Sequence, residues 1–123
     1  MQSPTTSRDN ILSVMSDRLF IFDMDGTLLV KTTASIEIAK VTGTIDQLYL
    51  LEKHFAEGLI DAFRFAQEIS AFWGILDKKL VRRTFEASPK LKNIEDVTAL
   101  IRKGGGKSCL ITMSPDFYAH HFI

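Results

Sequence analysis

Residues Leu19 to Leu29 read LFIFDMDGTLL. The first four, Leu19-Phe20-Ile21-Phe22, are an unbroken apolar run rich in aromatic and β-branched side chains, closed by Asp23 and then Gly26. That composition predicts a short strand buried on both faces, as in a parallel sheet. Asp23 and Asp25 stand two residues apart at the C-terminal end of this strand, where α/β folds place their ligands. Strand alternation lets both side chains point the same way. Two carboxylates so close repel each other unless they share a cation, and a hard divalent ion held by few protein oxygens together with phosphate is the usual Mg²⁺ arrangement. One carboxylate can then attack phosphorus, while the other protonates the departing oxygen and later activates water.

Downstream of this stretch the pattern turns helical. Between Thr33 and Ser88 apolar residues recur at spacings of three and four, as in Leu48, Leu51, Phe55 and Leu59, and again in Phe65, Ile69 and Phe72. The spacing predicts a bundle of about four short helices. Gly43, Gly58 and Gly74 mark helix ends, and Thr44-Ile45-Asp46-Gln47 fits a capping box. After Ser88-Pro89, Asn93 as cap and Glu95 and Asp96 in the first turn predict another helix, stopped by Gly104 to Gly106. Ser108-Cys109-Leu110-Ile111 then reads as a second apolar strand, and Ser114-Pro115-Asp116 as a helix start with proline at its first position. A helical connection between two buried strands predicts an α/β fold with a parallel sheet and a right-handed crossover.

Leu19 to Leu29 resembles the first motif of haloacid dehalogenase (HAD) superfamily phosphohydrolases. Cys109 to Phe117, CLITMSPDF, resembles the second motif of their phosphoserine-phosphatase-like branch. The resemblance implies a Rossmann-like parallel sheet, incomplete in this chain, with a helical cap inserted after the first strand. The expected layout is a leader at 1–17, the core at 18–32 and 89–123, and the cap at 33–88. It implies Asp23 as nucleophile and Asp25 as acid/base. Mg²⁺ would be held by the Asp23 carboxylate and the Asp25 carbonyl, and phosphate by Thr112, the Met113 N–H and Ser114. Taken alone, Ser114 reads first as a helix N-cap, since Ser followed by Pro is ordinary helix punctuation. The implied activity is Mg²⁺-dependent hydrolysis of a small-molecule phosphate monoester through an aspartyl phosphate. Members of that branch that act on phosphoserine carry a Glu where this chain has Thr32 and a cap Arg near Ser70, which argues against phosphoserine. The third motif's cation and the fourth motif's acids should lie beyond Thr112, yet eleven residues follow it and none is Lys or Arg. The chain is therefore expected to be an N-terminal portion with little activity of its own. The rival expectation is a non-catalytic binding or regulatory module that retains a partial site.

Other readings of the same residues compete. Asp25-Gly26 could be a type I′ hairpin turn. An EF-hand loop fails, because glycine at its sixth place would put Ile21 first and Thr32 last. Gly104 to Ser108 imitates the end of a phosphate-binding loop, but it joins helix to strand and lacks the first glycine. His120 and His121 are adjacent and would point about 100° apart on a helix, so they form no chelate. Phe55, Phe63, Phe65, Phe72 and Trp73 read first as core; any that line a pocket would favour a substrate with an apolar part.

Composition bounds the rest. The 123 residues are 46% hydrophobic and 24% charged, enough for one globular domain and unlike collagen, coiled coil or a disordered chain. Fifteen Lys and Arg balance fifteen Asp and Glu, so no global field draws nucleic acid or an anionic membrane. No apolar run reaches the length of a membrane span. The single cysteine, Cys109, has no intrachain partner, and the expected location is cytoplasmic.

Overall fold

The computed structural model describes residues 16–123; residues 1–15, most of the expected leader, lie outside the described residues. Strand β1 (Leu19–Asp23) pairs in parallel with β2 (Lys107–Ile111), in a register running from Leu19 opposite Lys107 to Asp23 opposite Ile111. Parallel neighbours need a long crossover. Here it carries five helices: α1 (Ala34–Thr42), α2 (Ile45–Ala56), α3 (Ala62–Trp73), α4 (Lys78–Ala87) and α5 (Ile94–Lys103). After β2 come α6 (Asp116–Ala119) and a single 3₁₀ turn, His120–Phe122. The result is the expected α/β architecture, with four helices inserted after the first strand.

The expectation that β1 is buried on both faces is not met. Phe20 and Phe22 are half-buried, while Leu19 and Ile21 on the opposite face are 59% and 60% exposed. Ile111 on β2 continues that face at 56% exposure. The physical reason is the sheet's size. Two strands bury a second face only if another layer covers it, and among the described residues none does.

Local chemistry explains the helix ends. The Thr33 hydroxyl accepts from Ile36 N–H at 3.1 Å to start α1, and Gly43 ends it in the left-handed conformation at φ 71°. Asp61 caps α3 by accepting from Arg64 N–H at 2.7 Å, and Asp77 caps α4 by accepting from Lys79 N–H at 2.9 Å. The capping box expected at Thr44 does not form. Its hydroxyl is buried and bonds the Thr42 hydroxyl at 2.8 Å instead. Asn93 makes no side-chain cap either; it turns the chain into α5 at φ 64°, a conformation Asn tolerates better than most residues.

The core runs through the insert and into the strand-end loop. Ile38 and Ala39 of α1, Leu48 and Leu51 of α2, and Ile69 and Trp73 of α3 pack with Met24 and Leu29. Burying each large side chain is worth about 1.5–3 kcal/mol. Leu59 and Phe72, on the apolar face by spacing, are instead 67% and 50% exposed. Tyr118 closes the far side. It is fully buried, shares a hydrogen bond with the Ser88 hydroxyl, and sets its ring edge against Phe85 at 5.5 Å. Burial pushes the Tyr118 phenol above its ordinary value, with a further push from the negative charges of Glu37 and Asp25, against the Ser88 bond. His121 stacks on Phe85 at 5.1 Å. Pro115 precedes α6 at its N-cap, one place before the position expected.

Candidate functional site

The chain after Asp23 does not form the hairpin that Asp25-Gly26 allowed. It winds back on itself: Leu28 N–H donates to Asp23 O at 3.4 Å and Leu29 N–H to Met24 O at 2.9 Å, around Gly26 at φ 74°. Asp25 and Leu29 meet in a parallel bridge, whereas a hairpin needs antiparallel pairing. The loop is tied to 89–91 by Val30 N–H donating to Pro89 O at 2.8 Å and Leu91 N–H donating to Leu28 O at 2.9 Å. Met24 and Leu29 anchor it, each wholly buried.

This winding brings Asp25 to the start of α1. Ala34, the first helical residue, donates its N–H to Asp25 Oδ1 at 2.9 Å. A helix N-terminus has free N–H groups and a positive dipole end, so a carboxylate is held there without a cationic side chain. From the opposite side the Ser114 hydroxyl donates to Asp25 Oδ2. Ser114 N–H in turn donates to Thr112 Oγ1 at 3.0 Å. Asp25, Ser114 and Thr112 are thus joined across 89 residues of sequence between Asp25 and Ser114.

Asp23 lies at the same end of the sheet, paired with Ile111, the residue before Thr112. It is exposed, and its side chain makes no hydrogen bond among the described residues. Pro115 holds the N-cap place of α6, and the Ser114 hydroxyl donates to Asp25. The Ser114 N–H is also used, and among the described residues the Thr112 hydroxyl proton and the Met113 N–H have no acceptor. Met113 is 88% exposed.

A cavity of about 570 Å³ opens beside this cluster, between the strand ends and the insert. Asp25, Ser114 and Met113 line one wall, and Glu52, Phe55, Phe65 and Trp73 another. Three of the five aromatics read first as core therefore face a cavity, while Phe63 and Phe72 lie outside it at 71% and 50% exposure. Asp23 is not among the lining residues. Thr112 lines an adjacent depression that shares Ser114 and Asp116. Two features of the cavity were not anticipated from sequence. Glu52 has its carboxyl pushed up by burial. Trp73, nine-tenths buried, has an indole Nε1–H without a partner among the described residues. The signal for Glu52 was its place one turn before Phe55.

The donor set suits a hard cation. Both Asp25 carboxylate oxygens are occupied, by Ala34 and Ser114, whereas the Asp25 carbonyl accepts no bond among the described residues and the Asp23 carboxylate is exposed. Two oxygens fit Mg²⁺, which takes one or two protein ligands and completes its shell with phosphate and water. No group of three or more His, Cys, Asp or Glu side chains that could cage a metal occurs among the described residues.

No protein-family model matches the chain, and no curated protein matches it. Among solved structures it is similar to a HAD family hydrolase from Salmonella enterica subsp. enterica serovar Typhi, with a TM-score of 0.72 over 88% of this chain and 17% identity. The fold is HAD-like. The chain spans 38% of the length of that hydrolase. No helix among the described residues is long and apolar enough to cross a membrane.

Proposed function

We propose that these residues carry the nucleophile half of a Mg²⁺-dependent phosphomonoester hydrolase of the HAD type, in the phosphoserine-phosphatase-like branch, acting on a small-molecule phosphate. The observation that carries the reading is the clamp on Asp25. Its carboxyl is held between a helix N-terminus and Ser114, next to Thr112, at the strand end where Asp23 also lies. A carboxyl so oriented is positioned to pass a proton to and from a group bound at its side.

Asp23, exposed and without a partner, is the nucleophile. Its carboxylate oxygen bonds to phosphorus as the ester P–O bond breaks, and the leaving oxygen takes a proton from Asp25. Asp25 then withdraws a proton from water, which attacks phosphorus and releases phosphate, restoring Asp23. Thr112 Oγ1–H and the Met113 N–H donate to the phosphate oxygens. Mg²⁺ held by the Asp23 carboxylate and the Asp25 carbonyl would neutralise charge on the phosphoryl group. The bare apolar face of β1 and β2 supports a further layer packed over it in the working enzyme, where the remaining cation and acids would be supplied.

The test is phosphate release with mass spectrometry of the phosphoenzyme, in the polypeptide that contains these residues. Asp23→Asn is expected to remove the covalent intermediate and lower turnover by about a thousandfold or more. Asp25→Asn keeps the clamp's shape but not its proton transfer, and is expected to slow turnover by about 10²–10⁴-fold. Undiminished phosphate release by Asp23→Asn overturns the assignment.

A further inference from the structure

The direction of the Asp25 carboxyl depends on the first turn of α1, because the Ala34 N–H and the Ser114 hydroxyl are the donors that hold it. Helix ends fray, and their first N–H groups have no partner inside the helix. Thr33 caps this end from within the turn. Thr32, the residue before the cap, adds a second brace. It is buried, and its hydroxyl donates to Glu37 Oε1 at 2.7 Å. Its carbonyl accepts at 3.0 Å from the N–H of Gly26, the residue after Asp25.

Thr32 stands just before the cap and Glu37 is the fourth residue of the helix. These are the two places where a pair of apolar side chains commonly fixes the angle at which a chain enters a helix. Here the pair is a hydrogen bond to a carboxylate, which is stronger than one between neutral groups and more directional than an apolar contact. The Glu37 side chain is only 15% exposed, so water competes weakly for it, and the exposed Lys40 balances its charge at 3.7 Å. Neither Thr32 nor Glu37 lines the cavity beside Asp25, so neither is placed to touch a substrate there. What their bond reaches is Asp25, through Gly26 on the loop and through Ala34 on the helix.

We propose that Thr32 is a positioning residue for Asp25: its hydroxyl, anchored on Glu37, fixes the α1 N-terminus against the loop that carries the acid. The catalytic half of this proposal rests on the function proposed above; the brace stands on the hydrogen bonds alone. The direct readout is exchange of the Ala34 amide hydrogen in the 123-residue chain, followed by NMR. Thr32→Val keeps the shape and removes the donor. It is expected to speed Ala34 exchange by about tenfold, with the amides of Leu48 on α2 and Ile69 on α3 within about twofold of the parent. Thr32→Ser keeps the donor and is expected to restore the parent rate. Glu37→Ala removes the acceptor and is expected to speed Ala34 likewise. Because the two side chains act as one bond, the double variant should exceed either single one by no more than about twofold. In the polypeptide that releases phosphate, Thr32→Val is expected to lower kcat by about tenfold at unchanged KM, and Thr32→Ser to restore it. An unchanged Ala34 rate, a rise shared by Leu48 and Ile69, or an unchanged kcat beside a faster Ala34 overturns the proposal. A parent that releases no phosphate overturns the phosphatase reading and with it the catalytic half, while the Ala34 rates still decide the brace.

Discussion

At the scale of single residues, the acids of this chain divide by how they are neutralised. Asp25 has donors from a helix N-terminus and from Ser114, and Asp23 has water. Glu52 has no donor and only part of its contact with water, and burial raises its carboxyl above the ordinary value of 4.5. A carboxyl raised in the folded state keeps its proton to higher pH than the unfolded chain does. Its contribution to stability is therefore full below that ordinary value and is lost as pH rises through the folded value. Glu52→Gln removes the titration and keeps the shape. Its melting temperature is expected to match that of the parent near pH 4 and to exceed it near pH 7, measured by thermal melts at both; a gap independent of pH would show that desolvation of Glu52 is not the cause. The Asp23-Met24-Asp25-Gly26-Thr27 spacing and the Thr112 to Ser114 segment were legible in the sequence because their chemistry is local to a strand end. Glu52 was not, because a glutamate in a helical pattern is ordinary until the fold brings it to a cavity that Phe55, Phe65 and Trp73 also line.

At the scale of elements, periodicity located the helices of the insert, while burial depended on which face met a neighbour. Phe65, Ile69 and Trp73 recur every four residues along α3, and only Ile69 and Trp73 are buried; Leu59 continued the stripe of α2 past the helix end and is exposed. Helix starts show the same division. Asn93 read as a cap and Thr33 only as the start of the helical pattern, yet it is Thr33 that makes the capping bond, while Asn93 serves by its backbone conformation. The two should respond oppositely to substitution. Thr33→Ala is expected to cost about 1 kcal/mol, and to loosen the α1 N-terminus that holds Asp25. Asn93→Gly should be neutral within a few tenths of a kcal/mol, because glycine adopts positive φ freely, whereas Asn93→Ser should cost about 1 kcal/mol despite serine being a good cap. Chemical denaturation of the three variants separates the two roles. If Asn93→Ser is neutral and Asn93→Gly costly, Asn93 acts as a side-chain cap after all.

At the scale of the whole molecule, apolar burial is unevenly shared. The core passes from Met24 and Leu29 through α1, α2 and α3, while Leu19, Ile21 and Ile111 stand 56–60% exposed in a row across the paired strands. A sequence reading cannot see this, because an unbroken apolar run describes a strand with two covered faces and carries no count of the strands beside it. The exposed row is a contiguous apolar patch of the kind that binds hydrophobic dyes and promotes association. Replacing Ile21 and Ile111 together by Thr keeps β-branching, and with it the preference for strand. Because these side chains give up little burial, the double variant should lose less than about 1 kcal/mol, whereas Met24→Ala, at a wholly buried position, should lose about 2–5 kcal/mol. The double variant should also bind less anilinonaphthalene sulfonate and sediment as a smaller species at high concentration. A loss of stability comparable to that of Met24→Ala would mean that this face is packed in solution, and that the sheet's second layer is already present in the chain.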